Sequence, residues 1–207
     1  MDSIYKWDRE DKLYAIEALH HSDQPDRNQY LLQLIVDDDP VVRGKTALAM
    51  EDLDDDTLME AVGALLDQDE TEYRILACEL LGSTENADYS ETLKPLLEAD
   101  DDRVVRSAIA VLDNLPKQRG LQLLDSVIKT YKAEWSKAVK RLLNRWHPTE
   151  VFPRIKSLYP VVDPEFRTQL LRLAAVSGHP DVEDWVLSTL EDLEPSDAKK
   201  TVVRWLL

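Results

Sequence analysis

The stretch Asp37-Asp38-Asp39-Pro40-Val41-Val42-Arg43 reads as the start of a helix. Asp39 can accept hydrogen bonds from the free amides of a first turn. Pro40 has the fixed φ and the missing N–H that suit the first helical position. Arg43 lies four residues after Asp39 and shares its helix face. The same spacing recurs at Asp8 and Lys12, Glu70 and Arg74, Asp102 and Arg106, and Asp163 and Arg167. The basic members Lys12, Arg43, Arg74 and Arg106 are separated by 31, 31 and 32 residues, and Arg167 follows 61 residues after Arg106. Lys137 and Lys199 fall near the remaining slots, with Ala133 and Pro195 where the acid should be. A fixed period of roughly 20 to 50 residues marks a stack of like units, each unable to bury its apolar face alone.

Each period holds two helical stretches. Those carrying the basic residue, the motif helices, are read over about 8–20, 40–52, 70–82, 102–115, 133–146, 164–177 and 196–206. Their partners are read over about 27–36, 55–67, 89–99, 118–131, 149–159 and 181–191. Leu58, Val62, Leu65 and Leu66 show the apolar spacing of such a helix. That makes about thirteen helices joined by short turns, with no linker long enough to divide the chain, so one domain over 1–207 is expected.

Two further segments repeat the opening pattern. Tyr73-Arg74-Ile75-Leu76-Ala77-Cys78-Glu79-Leu80-Leu81-Gly82 resembles the V-R-x-x-A-x-x-x-L-G stretch of the phycobilisome-lyase type of HEAT-like repeat. Asp37 to Arg43 resembles the D-x-D-P-x-V-R core of HEAT repeats, and Asp100-Asp101-Asp102-Arg103-Val104-Val105-Arg106 is a third copy. The resemblance is sharp over 37–115 and weakest over 132–160, where Ala133 and Trp135-Ser136-Lys137 replace the acidic and Val-Arg positions. It implies an all-α fold: a right-handed α-solenoid of about six to seven HEAT-like helical hairpins whose motif helices line the concave side. It also implies a non-enzymatic protein–protein interaction scaffold or adaptor. The enzymatic alternatives within the resemblance are a subunit of a phycobilin lyase and an alkylpurine DNA glycosylase.

Composition narrows the classes. The formal net charge is -16, from 25 Lys+Arg and 41 Asp+Glu, and opposes general nucleic-acid binding, which needs a basic footprint. Cys78 is alone, so neither an intramolecular disulfide nor a cysteine-pair zinc site can form. No signal-peptide pattern opens the chain and no apolar run reaches about 18 residues, so a cytoplasmic protein without a membrane segment is expected. No glycine-rich phosphate loop, nucleophile elbow or i, i+4 histidine pair is present, and no cofactor or metal is expected.

The charge is unevenly placed. Residues 1–102 carry 8 basic and 28 acidic residues, whereas 103–172 carry 14 and 6. Such a dipolar chain can steer an oppositely patterned protein. The helix over 132–146 sharpens this. Trp135, Ala138, Val139, Leu142, Leu143 and Trp146 form one stripe, and Lys137, Lys140, Arg141, Asn144 and Arg145 form the other. These five form either a solvated face or the candidate partner-binding surface, suited to an anionic ligand or an acidic protein segment.

Asp39, Arg43, Glu70, Arg74, Asp102, Arg106, Asp163 and Arg167 are expected to form a structural ladder of caps and ion pairs. Repetition argues against catalysis, since a catalytic group is needed once. The acidic turns at 37–39, 54–56, 67–70 and 100–102 lack the glycine and the twelfth-position glutamate of a calcium loop, and are expected to cap helices. Cys78 and most of the tryptophans are expected in the core. The apolar end Val202, Val203, Trp205, Leu206 and Leu207 is expected either to fold back onto the helix over 181–191 or to form a homodimer through the last helix.

Overall fold

The computed structural model describes residues 4–22, 24–84, 88–175 and 177–191. Among the described residues there are twelve α-helices, three short 3-10 turns and no strand. In chain order the helices are α1 (Arg9–His20), α2 (Arg27–Leu34), α3 (Pro40–Met50), α4 (Asp55–Leu66), α5 (Thr71–Ser83), α6 (Ser90–Leu97), α7 (Asp102–Ala110), α8 (Lys117–Lys129), α9 (Ser136–Arg145), α10 (Pro148–Leu158), α11 (Pro164–Ala175) and α12 (Val182–Glu191). The motif helix expected at 196–206, and the dimer contact expected there, lie outside the described residues.

Capping sets most of the helix starts. The Asp39 carboxylate accepts from Val41 N at 2.7 Å and from Val42 N at 3.4 Å, with Pro40 next in the first turn. Asp8 caps α1 through Asp11 N, Asp54 caps α4 through Thr57 N, and Asp163 accepts from Phe166 N. At α7 the cap is Asp101, whose carboxylate accepts from Arg103 N at 2.8 Å, and Asp102 is already helical. Glu70 stands at the cap position of α5 without a side-chain cap bond. Two motif helices are shorter than their pattern. α7 gives way to a 3-10 turn over Leu112–Asn114, and α9 is preceded by one over Ala133–Trp135. Pro116 and the missing acidic cap at Ala133 account for these departures.

The chain divides into two compact units, residues 1–115 and 116–207. In the first, α1 packs on α3, α3 on α5, and α5 on α7. Their partners run alongside: α2 touches α3 and α4, α4 packs on α5, and α6 packs on α7. Leu31, Leu58, Leu65, Leu81, Leu93 and Val105 are fully buried between these two rows. Each such side chain contributes about 1.5–3 kcal/mol of burial. In the second unit α8 and α9 pack against α10, α10 against α11, and α11 against α12. Its core includes Leu143, Phe152, Ile155, Phe166, Leu170 and Val186.

Candidate functional site

The repeated polar residues cross-link successive repeats. Arg9 Nε pairs with Asp39 at 3.1 Å, and Lys12 Nζ pairs with Asp37 at 2.7 Å in a mostly buried contact. Arg103 pairs with Glu72 at 3.1 Å, Thr71 donates to Asp101, and Arg154 grips Asp125 through two bonds of 2.8 and 2.9 Å. The four-residue spacing predicts Arg43 beside Asp39 on one helix face. The structure sends Arg43 back to the preceding turn. Its Nη1 donates to the carbonyls of Asp37 at 2.7 Å and Asp38 at 3.0 Å, and its guanidinium lies 4.3 Å from the Tyr73 ring centre. Arg167 does the same, donating to the carbonyls of Tyr159 and Pro160 and lying over the Tyr159 ring. Arg74 and Arg106 are half-buried on α5 and α7. A planar guanidinium satisfies the open carbonyls of a helix end, which a point charge on a flexible stem does less well.

Capping also fixes the acid chemistry of the turns. The Arg103 side chain and its backbone amide hold the Asp101 carboxyl far below its usual range. The Val41 amide lowers Asp39, and the Thr57 amide and hydroxyl lower Asp54. Among the described residues no group of three or more His, Cys, Asp or Glu side chains assembles a metal site. Cys78 is fully buried on α5, and burial pushes its thiol up to about 12. A thiol so protonated and enclosed is a poor nucleophile.

α9 places the candidate binding residues unequally. Lys137, Arg141, Asn144 and Arg145 are exposed, opposite the buried Ala138, Val139, Leu142 and Leu143. Lys137, Arg141 and Arg145 follow at i, i+4 and i+8, a basic stripe about 12 Å long. Lys140 is half-buried, and its ammonium sits 4.6 Å from the centre of the Phe166 ring. Its charge is engaged with an aromatic face of α11.

A second surface has no counterpart in the sequence reading. Between α1 and α3 an open groove of about 390 Å³ is lined by Leu13, Ile16, Glu17, His20, Lys45 and Leu48. A smaller hollow of about 90 Å³ lies between α3 and α5, lined by Ala47, Leu48, Leu76 and Leu80 together with Glu51 and Glu79. Leu48 borders both and is 51% exposed, and Tyr14 on α1 is 77% exposed. The repeat explains the placement. Glu17, Leu48 and Glu79 are 31 residues apart, so they occupy one register position on three successive motif helices. The signal in the sequence is therefore a leucine where the neighbouring repeats carry glutamate. Of the tryptophans expected in the core, Trp135 and Trp146 are buried, Trp185 is half-buried, Trp7 is 43% exposed, and Trp205 lies outside the described residues.

No helix among the described residues is long and apolar enough to cross a membrane. No protein-family model matches the chain, and no curated protein matches it.

Proposed function

We propose that this chain is a non-enzymatic scaffold that binds another protein, built from about six to seven HEAT-like hairpins wound as a right-handed α-solenoid. The 31-residue period and the serial packing of α1, α3, α5 and α7 support that architecture. The observation that carries the binding function is the groove left open between α1 and α3, with Leu48 exposed along its edge. The exposed Leu48 and half-buried Leu13 beside this open hollow give an apolar side chain of a partner a place to pack. The α9 stripe supports a second contact, of Lys137, Arg141 and Arg145 with an acidic protein segment.

Affinity capture with the whole chain tests this. A partner retained by the parent protein, and lost with Leu48→Asp or with Lys137→Glu/Arg141→Glu, is the expected result. The same proteins recovered in the same amounts by parent and both variants would remove the function from these surfaces. An enzyme reading instead requires added bilin to change the chain's absorption, or DNA binding that weakens with salt and with Lys140→Glu/Arg141→Glu.

A further inference from the structure

We propose that the groove across α1, α3 and α5 takes a cationic amphipathic helix of a partner protein. The inference rests on the protein-binding reading and adds the chemistry of the partner. Its accessible apolar side chains are Leu48, exposed, and Leu13, half-buried, over a floor of the buried Ile16, Leu76 and Leu80. Its charge comes from Glu17 on one flank and Glu51 and Glu79 on the other, all exposed. Among the described residues Glu17 and Glu79 form no ion pair, so their carboxylates are open to an incoming cation. The unit that holds the groove, residues 1–115, has 10 Lys+Arg against 29 Asp+Glu, net -19. That field draws cationic segments and repels acidic ones before contact.

Spacing selects a helix. The two hollows flank Leu48 and lie between successive motif helices, so they are about 10 Å apart, one helix-packing distance. Anchors at i and i+7 of a helix are separated by about 10.5 Å and face the same way. In a strand, about 10 Å is three residues, and residues i and i+3 point to opposite faces. A helix can therefore seat one apolar side chain on each side of Leu48 and present Lys or Arg to Glu17 and Glu79, as in helix-in-groove recognition. The larger hollow falls in the volume range, roughly 300–1,000 Å³, that receives bulky apolar groups. Lys45 and His20 also line it, and Lys45 is the exposed cation that opposes such a ligand.

The probe is a fluorescein-labelled amphipathic peptide of about 16 residues with Leu at i, i+3 and i+7 and Lys elsewhere. Its controls are a scrambled peptide of equal charge and a copy with every Lys replaced by Glu. Anisotropy titrations use the full chain and its variants, each checked for an unchanged thermal transition. The amphipathic cationic peptide is expected to bind at least about tenfold more tightly than either control. Glu17→Lys/Glu79→Lys and Leu48→Asp should each weaken it about tenfold or more, and Lys45→Glu should strengthen it severalfold. Equal binding of the scrambled peptide, or variants that bind as the parent does, would overturn the proposal. If the Glu-substituted copy alone binds, and depends on Lys137 and Arg141, the groove inference fails while the protein-binding reading stands. If no peptide binds but the chain self-associates in sedimentation and Leu48→Asp disperses it, the occupant is a second copy and the proposal is wrong. If nothing binds and nothing self-associates, the groove inference fails, and the protein-binding reading is decided by the affinity capture alone.

Discussion

Arg43 shows how one side chain serves two repeats. It is buried, and its guanidinium holds the Asp37 and Asp38 carbonyls while lying against Tyr73, thirty residues later. Hydrogen bonds from a charged donor are worth about 1.5–3 kcal/mol each, and the carbonyls they satisfy would be left short. Arg43→Ala is expected to cost about 3 kcal/mol, read as a lower urea midpoint. Arg43→Lys should lose roughly half of that, because an ammonium cannot hold both carbonyls and lie flat on the ring. The caps give a prediction in pH. Asp39, Asp54 and Asp101 have folded-state pKa values below the ordinary 3.8. Depressed carboxylates contribute stability that is present above about pH 4 and lost as pH falls through their lower folded values. The urea midpoint should therefore hold steady from neutral pH to about pH 5 and fall steeply below pH 4. Asp101→Asn should flatten part of that fall. That an aspartate caps α7 was legible in Asp100-Asp101-Asp102, but which one was not. Three adjacent carboxylates satisfy the same rule, and the backbone decides among them.

At the scale of elements, the described helix starts follow the sequence closely where an Asp or an Asp-Pro marks them, as at α3, α4 and α11. They drift where the marker is missing, as at α9, because apolar periodicity locates a face better than an end. The groove was not legible from apolar spacing, since Leu48 fits a helical pattern but faces outward. Only the register with Glu17 and Glu79 exposes it. The glycines separate helix propensity from packing. Gly63 lies within α4, and a Cβ there would meet nothing within 4 Å. Gly63→Ala should stabilise by about 0.5–1 kcal/mol, the ordinary helical gain. Gly82 lies near the end of α5, where a Cβ would come 3.0 Å from Val111 Cγ1 and where its carbonyl accepts from Asn114 Nδ2. Gly82→Ala should cancel the same gain and destabilise by about 1 kcal/mol or more through overpacking. Paired denaturation curves check the opposite signs.

At the scale of the molecule, the net charge of -16 is two different numbers. Residues 1–115 carry -19 and residues 116–207 carry +3, from 15 Lys+Arg and 12 Asp+Glu. Part of the acid is architectural, since Asp8, Asp39, Asp54 and Asp101 cap helices. The remainder, including Glu17 and Glu79, raises a field that opposes the compact state of the first unit through self-repulsion. Salt should relieve that cost unequally. Between about 20 mM and about 300 mM NaCl the Debye length falls from roughly 20 Å to roughly 6 Å, below the spacing of many surface carboxylates. Hydrogen exchange on the whole chain reads each unit by its own amides. Amides of α3 and α5 should gain about 1 kcal/mol of opening free energy over that range, and those of α10 and α11 no more than a few tenths. An equal gain in both would mean that helix caps and ion pairs already neutralise the acid. The charge asymmetry would then have no energetic consequence, and the long-range attraction of a cationic partner would lose its source.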